Sequence, residues 1–283
     1  MSEMKEIRLS QGPIRYRENG AGEPIVLVHG LLVNGELWRE VAPLLARDFR
    51  VIAPDWPLGS QELALDHGAD LSPPALARLV ADFLEALGLD RVTLVGNDTG
   101  GAICQLVAVK HPERVARLVL TPCDAYEHFP PPAFKALATV GRSPAALWAI
   151  SQMMRAAFAR RLPNGYGGIT RRADDALTAS WVRPLRVDRE IRRQTARVFA
   201  GMRPEHTLEA ARHFGEMTMP VLLAWAPEDR FFKLANAERM AREIPGARLE
   251  LVEDSLTFVP IDQPRRTAEL IAAFAREPAL AAG

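Results

Sequence analysis

Residues 92–101 read Val92-Thr93-Leu94-Val95-Gly96-Asn97-Asp98-Thr99-Gly100-Gly101, and the helix-like run Ala102-Ile103-Cys104-Gln105-Leu106-Val107 follows directly. An apolar strand that enters a Gly-x-Asp-x-Gly turn and leaves as a helix has the layout of a nucleophile elbow. In such a turn the central residue is held in a strained backbone conformation with its side chain clear of the sheet. Side chains two residues to either side would collide with neighbouring backbone, which accounts for Gly96 and Gly100. The tip is Asp98, neither Ser nor Cys. A carboxylate is already an anion at neutral pH, so it can attack an electrophilic carbon without a base to deprotonate it. Gly and Asp also populate ordinary turns, so the surrounding chain decides the reading.

Upstream, Pro24 leads into the unbroken apolar run Ile25-Val26-Leu27-Val28, which ends at His29-Gly30-Leu31-Leu32 and continues to a helix holding Leu37, Trp38, Val41, Leu44 and Leu45. A short, fully apolar strand before a helix is the pattern of a buried parallel sheet. A second such step closes at Pro54-Asp55-Trp56-Pro57, and Ser72-Pro73 opens a helix with Leu76, Leu79, Val80, Phe83, Leu84 and Leu87 along one face. Before all of this, segments around Ile7-Arg8-Leu9 and Ile14-Arg15-Tyr16-Arg17 flank Gly12-Pro13 as an antiparallel hairpin. Downstream of the elbow helix comes the strand Ala116 to Leu120, ending at Thr121-Pro122-Cys123-Asp124. Four strand–helix steps in series predict an α/β fold with a mostly parallel, doubly wound sheet. The rhythm then breaks at Pro130-Pro131-Pro132 and resumes at Pro220-Val221-Leu222-Leu223-Ala224-Trp225, with a helix near Leu234 to Ile244, the strand Arg248 to Val252 and a last helix from Pro264 to Ala275. This divides the chain into a core of residues 1–123 and 220–283 and an inserted helical cap of residues 124–219.

The 283 residues, 48% hydrophobic and 25% charged, form a globular composition able to bury a large core. Thirty-five basic residues balance 35 acidic ones, so the overall field points to neither nucleic acid nor an anionic membrane. Cys104 and Cys123 lie in apolar settings and read as reduced core thiols. The charged N-terminus lacks an apolar signal region, and no stretch supplies the roughly 18 uninterrupted apolar residues of a spanning helix. A cytoplasmic location is expected, as a monomer or homodimer. No metal-ligand spacing links the six histidines, and no glycine-rich phosphate loop is present, so no cofactor is expected.

From strand to His29-Gly30, elbow, cap, acid-bearing strand and final helix, the chain resembles the α/β-hydrolase superfamily along nearly its whole length. An aspartate at the elbow tip is similar to the branch of epoxide hydrolases and haloalkane dehalogenases, where the carboxylate forms an alkyl ester and an acid-oriented histidine activates water to cleave it. The resemblance implies Asp98 as nucleophile and backbone N–H groups of Leu31 and Thr99 as the oxyanion hole. It also implies an acid at Trp225-Ala226-Pro227-Glu228-Asp229-Arg230-Phe231-Phe232, with Asp229 ahead of Glu228. The expected histidine is missing. Glu253-Asp254-Ser255-Leu256-Thr257-Phe258-Val259-Pro260 puts Thr257 at its position, and no histidine follows His213. A threonine hydroxyl is no base at neutral pH, and losing general-base assistance costs on the order of 100- to 10,000-fold. Thr99 departs as well: the branch usually has tryptophan there, which ranks dehalogenation below epoxide chemistry.

His128 follows the strand ending at Cys123 and is the first candidate for a substitute base, with Asp124, Tyr126 and Glu127 close by in sequence. Against that stands the commoner role of a surface or cap-packing histidine. His29 is expected to order the oxyanion loop. Arg183, Arg186, Arg189, Arg192, Arg193 and Arg197 alternate with Asp188 and Glu190 and read as a solvated helix face. Cap residues Trp148, Met153, Met154, Phe158, Tyr166, Trp181 and Phe199 are expected beneath the cap, some lining an apolar pocket over Asp98; His29, Trp38, Tyr126, Trp148, Trp181 and Phe258 are the expected substrate contacts, for a small hydrophobic molecule. Three readings follow. The first is hydrolase-like chemistry through Asp98 with an incomplete triad. The second is an isomerase, lyase or cyclase using Asp98 as acid or base. The third is a ligand-binding protein on the same scaffold.

Overall fold

The computed structural model describes residues 3–172 and 174–277. Its frame is an eight-stranded sheet made of β1 (Met4–Leu9), β2 (Gly12–Asn19), β3 (Pro24–Val28), β4 (Arg50–Pro54), β5 (Val92–Asp98), β6 (Val115–Cys123), β7 (Val221–Trp225) and β8 (Arg248–Leu251). The spatial order is β1-β2-β4-β3-β5-β6-β7-β8. β1 and β2 pair antiparallel, β2 joins β4 antiparallel, and every pairing from β4 to β8 is parallel. The chain thus leaves β3 toward β4 on one side and returns to β5 on the other. Such a reversal opens a crevice outside the carboxyl ends of the strands, where open parallel sheets bind ligands. Asp98 ends β5 at that crevice.

Alternation along the strands explains why the runs are apolar throughout. Val26 and Val28 point to one face, where α2 (Pro73–Ala86) supplies Leu76, Leu79 and Phe83 and α3 (Thr99–Lys110) supplies Ile103 and Leu106. Ile25 and Leu27 point to the other, where they meet Leu37 and Trp38, with α1 (Ala42–Leu45) beside them. Both faces are covered, so neither needs polar positions. Ser72 precedes α2 but makes no side-chain cap bond; its N–H instead donates to Asp70 Oδ1 at 2.8 Å. Cys104 and Cys123 are free thiols within the core.

Between β6 and β7 the described elements are helical: α4 (Lys135–Val140), α5 (Pro144–Met153), α6 (Ala157–Arg160), α7 (Asp175–Val187), α8 (Arg189–Gly201) and α9 (Pro204–Arg212). α7 and α8 begin at Asp174 and Asp188, whose carboxylates accept the first free backbone N–H groups of each helix. The last of these six helices differs from its neighbours. Ala210 of α9, with Phe214 and Met217 behind it, is buried in the same apolar cluster as α2 and α3, and the Thr207 hydroxyl donates to the Tyr126 carbonyl. After β7 come α10 (Leu234–Glu243), β8, α11 (Val259–Asp262) and α12 (Pro264–Ala275), the last packing Leu270, Ile271 and Phe274 onto the sheet. Among the described residues no helix is long and apolar enough to cross a membrane.

Candidate active site

The turn after β5 has the strained geometry its glycines imply. Asp98 sits at φ 54° and ψ −132°, a left-handed conformation that a residue with a side chain adopts only when its surroundings impose it. A Cβ on Gly100 would lie 2.4 Å from the His29 carbonyl oxygen, and one on Gly96 2.7 Å from the Gly101 Cα. Asn97 secures the turn from below, donating to the Thr121 hydroxyl at 2.8 Å and to the Thr257 carbonyl at 2.7 Å.

The two carboxylate oxygens of Asp98 are unequal. Oδ1 accepts the Thr99 N–H at 2.6 Å and lies 3.3 Å from the Thr99 hydroxyl, whereas Oδ2 accepts no hydrogen bond from the described residues. Burial pushes the Asp98 pKa up to about 7, and the negative charge of Asp229 adds to the rise; the Thr99 hydrogen bonds oppose it. The same hydroxyl is 3.2 Å from Asp124 Oδ2, at the end of β6. Asp124 is 1% exposed, its Oδ1 has no partner among the described residues, and burial together with the Asp98 charge raises its pKa well above the usual carboxylate range.

Across the crevice, the loop after β3 is set by His29. Its Nδ1–H donates to the Gly30 carbonyl at 2.8 Å and its Nε2 accepts the Trp56 N–H at 2.8 Å, which defines the neutral tautomer. Burial lowers the His29 pKa to about 4. A Cβ on Gly30 would fall 2.5 Å from Asp98 Cβ, so the loop lies directly on the aspartate. Leu32 follows at φ 59°, its N–H donating to the Leu58 carbonyl and its own carbonyl accepting the Tyr166 hydroxyl, both at 2.8 Å.

Asp98 and Thr99 open into a cavity of about 390 Å³, walled by apolar side chains including Phe134, Met153, Met154, Phe199 and Phe231. Leu31, Asp124, Asn164 and Tyr166 also line it. Asp229 and Thr257 are brought together but lie behind this wall. The Thr257 hydroxyl donates to Asp229 Oδ2 at 2.8 Å, while Asp229 Oδ1 accepts the N–H groups of Phe231 at 2.7 Å and Phe232 at 3.0 Å. Glu228 points elsewhere, pairing with Arg171.

Several expected contacts are corrected. His128 is not brought to the cavity; its Nδ1 faces the Asn236 amide at 3.3 Å, because the backbone turns back on itself at the Ala125–His128 bridge. Tyr126 turns its hydroxyl to Glu243 at 2.8 Å beneath the Arg239 guanidinium. His29 is consumed by loop hydrogen bonds. Trp38 is fully buried in the layer on the far face of the sheet. Trp181 donates its indole N–H to Asn34 at 3.0 Å and packs edge-on against Phe258, so both support the wall from behind. Trp148 is 49% exposed on the outer surface, near Arg189 and Arg192. Sequence reasoning passed over Asn97 and also Asp262, whose carboxylate accepts the Thr170 hydroxyl and the Leu256 N–H. Neither has a motif, since Asn97 reaches Thr257 and Asp262 reaches Thr170, each far away in sequence.

Among the described residues no three His, Cys, Asp or Glu side chains group as a metal site. Residues 23–264 match the model of the alpha/beta hydrolase fold family. Over 277 residues the chain is 31% identical to haloalkane dehalogenase 2 of Mycobacterium tuberculosis (strain ATCC 25618 / H37Rv), covering 93% of this chain and 91% of that protein. A stretch of 104 residues, 36% of this chain and 37% of the other, is 45% identical to 2-hydroxy-6-oxo-2,4-heptadienoate hydrolase of Pseudomonas putida. Among solved structures, the epoxide hydrolase CorEH shares the fold with a TM-score of 0.78 at 22% identity, over 96% of this chain and 98% of that one. The chain belongs to the α/β-hydrolase fold family.

Proposed function

We propose that this protein is an enzyme in which Asp98 attacks an electrophilic carbon of an apolar small molecule, an epoxide or alkyl halide, to form an alkyl ester. The observation that carries this reading is the asymmetry of the carboxylate: Oδ1 is held by the Thr99 N–H at 2.6 Å, while Oδ2 accepts no such bond. The free oxygen becomes the ester oxygen and the held one the ester carbonyl. Its donor, with the Leu31 N–H as partner, then stands where the oxyanion of ester cleavage develops. The helices between β6 and β7 act as the cap that keeps water from the site, and their side chains select an apolar substrate. The haloalkane dehalogenase among its relatives supports this reading.

A second reading, proton transfer by Asp98 in an isomerisation, elimination or ring closure, is favoured by one observation. A carboxyl whose pKa is about 7 suits acid–base work at neutral pH. A single turnover with enzyme in excess, run in ¹⁸O-water, separates the two. Covalent attack leaves either a mass adduct or ¹⁸O on the peptide holding Asp98, and the first product carries no label. Product isomeric with substrate, with an unmodified peptide, would establish the second reading instead.

A further inference from the structure

Hydrolysis of the Asp98 ester needs a base, and Thr257 is none. The acid that the cavity does contain is Asp124. The Thr99 hydroxyl lies 3.3 Å from Asp98 Oδ1 and 3.2 Å from Asp124 Oδ2. A hydroxyl has one proton and can donate to one of these oxygens only. With both carboxyls ionised, the other would face a lone pair. Asp98 Oδ1 already receives an N–H, whereas Asp124 Oδ1 is buried without a partner among the described residues. An ionised Asp124 would leave a bare charged oxygen in apolar surroundings, which is costly. The proton shared by the pair therefore sits on Asp124, whose Oδ2–H donates to Thr99 while Thr99 donates to Asp98. Burial and the neighbouring Asp98 charge act in the same direction on its pKa. Asp229 already receives the Thr257 hydroxyl and does not line the cavity.

We propose that Asp124 is the acid–base residue that stands in for the absent histidine, and that it selects epoxides over halides. The proposal rests on Asp98 as nucleophile. In the first step Asp98 Oδ2 bonds to a ring carbon, the carbon–oxygen bond breaks, and the ring oxygen takes the proton of Asp124. In the second, ionised Asp124 accepts a proton from water as its oxygen adds to Asp98 Cγ. Collapse expels the alcohol oxygen, which recovers that proton from Asp124. The proton of the newly formed Asp98 carboxyl then passes through the Thr99 hydroxyl back to Asp124, so epoxide and water become a diol with both carboxyls restored. A departing halide takes no proton and would face two acidic side chains, which is why ring oxygen is preferred.

The test compares wild type and Asp124→Asn with two probes, styrene oxide and 1-bromohexane. With the bromide, ester formation in Asp124→Asn stays essentially unchanged. In wild type the esterified Asp98 no longer carries the charge that holds the Asp124 proton, which is lost to water, so hydrolysis proceeds there. It falls on the order of 100-fold or more in Asp124→Asn, where a one-to-one adduct accumulates on Asp98. With styrene oxide, ester formation itself falls by a similar factor. A purely structural role would not separate the two probes. Asp124→Glu, which keeps the acid, retains hydrolysis and serves as the second variant should Asn impair folding. The proposal is overturned if Asp124→Asn clears the ester at the wild-type rate, or if wild type itself accumulates it. A different result sinks the underlying reading: no ester on Asp98 with either probe in any variant, and ¹⁸O in the first-formed product.

Discussion

Two corners of the crevice differ in how completely they are furnished. At the elbow, strain at Asp98, the close approach of Gly100 to His29 and the Thr99 N–H at 2.6 Å are all in place. At the corner after β8, the acid keeps its support, with two backbone donors and a hydroxyl on Asp229, but the hydroxyl belongs to a residue that cannot take a proton. Asn97 joins the corners through the Thr257 carbonyl, so the backbone relation between them is fixed although no base stands at the second. On the proposed reading, bond formation and ester cleavage make separate demands on the protein, and these two corners meet only the first.

The contrast can be broken most severely at Asp98. Asp98→Asn is expected to lower turnover of any accepted electrophile by about 10⁴-fold or more, as loss of a nucleophile does elsewhere; residual activity within tenfold of wild type, measured by product formation, would mean that the elbow is not the attacking group. Next in size is a repair of the other corner. Introducing Thr257→His into Asp124→Asn is expected to speed ester hydrolysis about 100-fold, because Asp229 Oδ2 lies 2.8 Å from the present hydroxyl and can orient an imidazole. Decay of the mass adduct reports the rate.

A third prediction concerns protonation. Since the folded-state pKa of Asp98 is raised to about 7 and only the anion attacks, single-turnover ester formation should fall about tenfold per pH unit below that value and level off above it. A rate flat from pH 5 to 8 would show that burial does not control the elbow. The smallest effect is expected from Thr257→Val, which keeps the shape but removes a donor from buried Asp229. Stability should drop by about 1–2 kcal/mol in denaturant unfolding, with ester formation unaffected.

The parallel strands and the elbow were legible because each has a short sequence signature: apolar runs bounded by Gly and Pro, and a Gly-x-Asp-x-Gly turn whose glycines allow close backbone approach. Asp229 drew notice for a similar reason, standing in the loop after β7 ahead of Phe231 and Phe232, and it meets the Thr257 hydroxyl. Cavity walls were less legible. Trp38, Tyr126, Trp148, Trp181 and Phe258 are aromatic like Phe134 and Phe231, and only tertiary packing decides which face the void. The helix Pro204–Arg212 reads like the helices before it, yet small residues such as Thr207 and Ala210 let it close on the core layer. His128 looked available because distance along the chain says nothing of the backbone reversal at Ala125.

Tyr166 donates to the Leu32 carbonyl, Trp181 to Asn34, and Ser60 to the Trp181 carbonyl, all tying one edge of the inserted helices to the ground floor. Swinging that edge outward would tug on the residue next to Leu31 and take the reaction chamber apart with every visit. On the opposite side Met153 both lines the void and is 61% exposed. That flexible thioether stands between the cavity and solvent on this side.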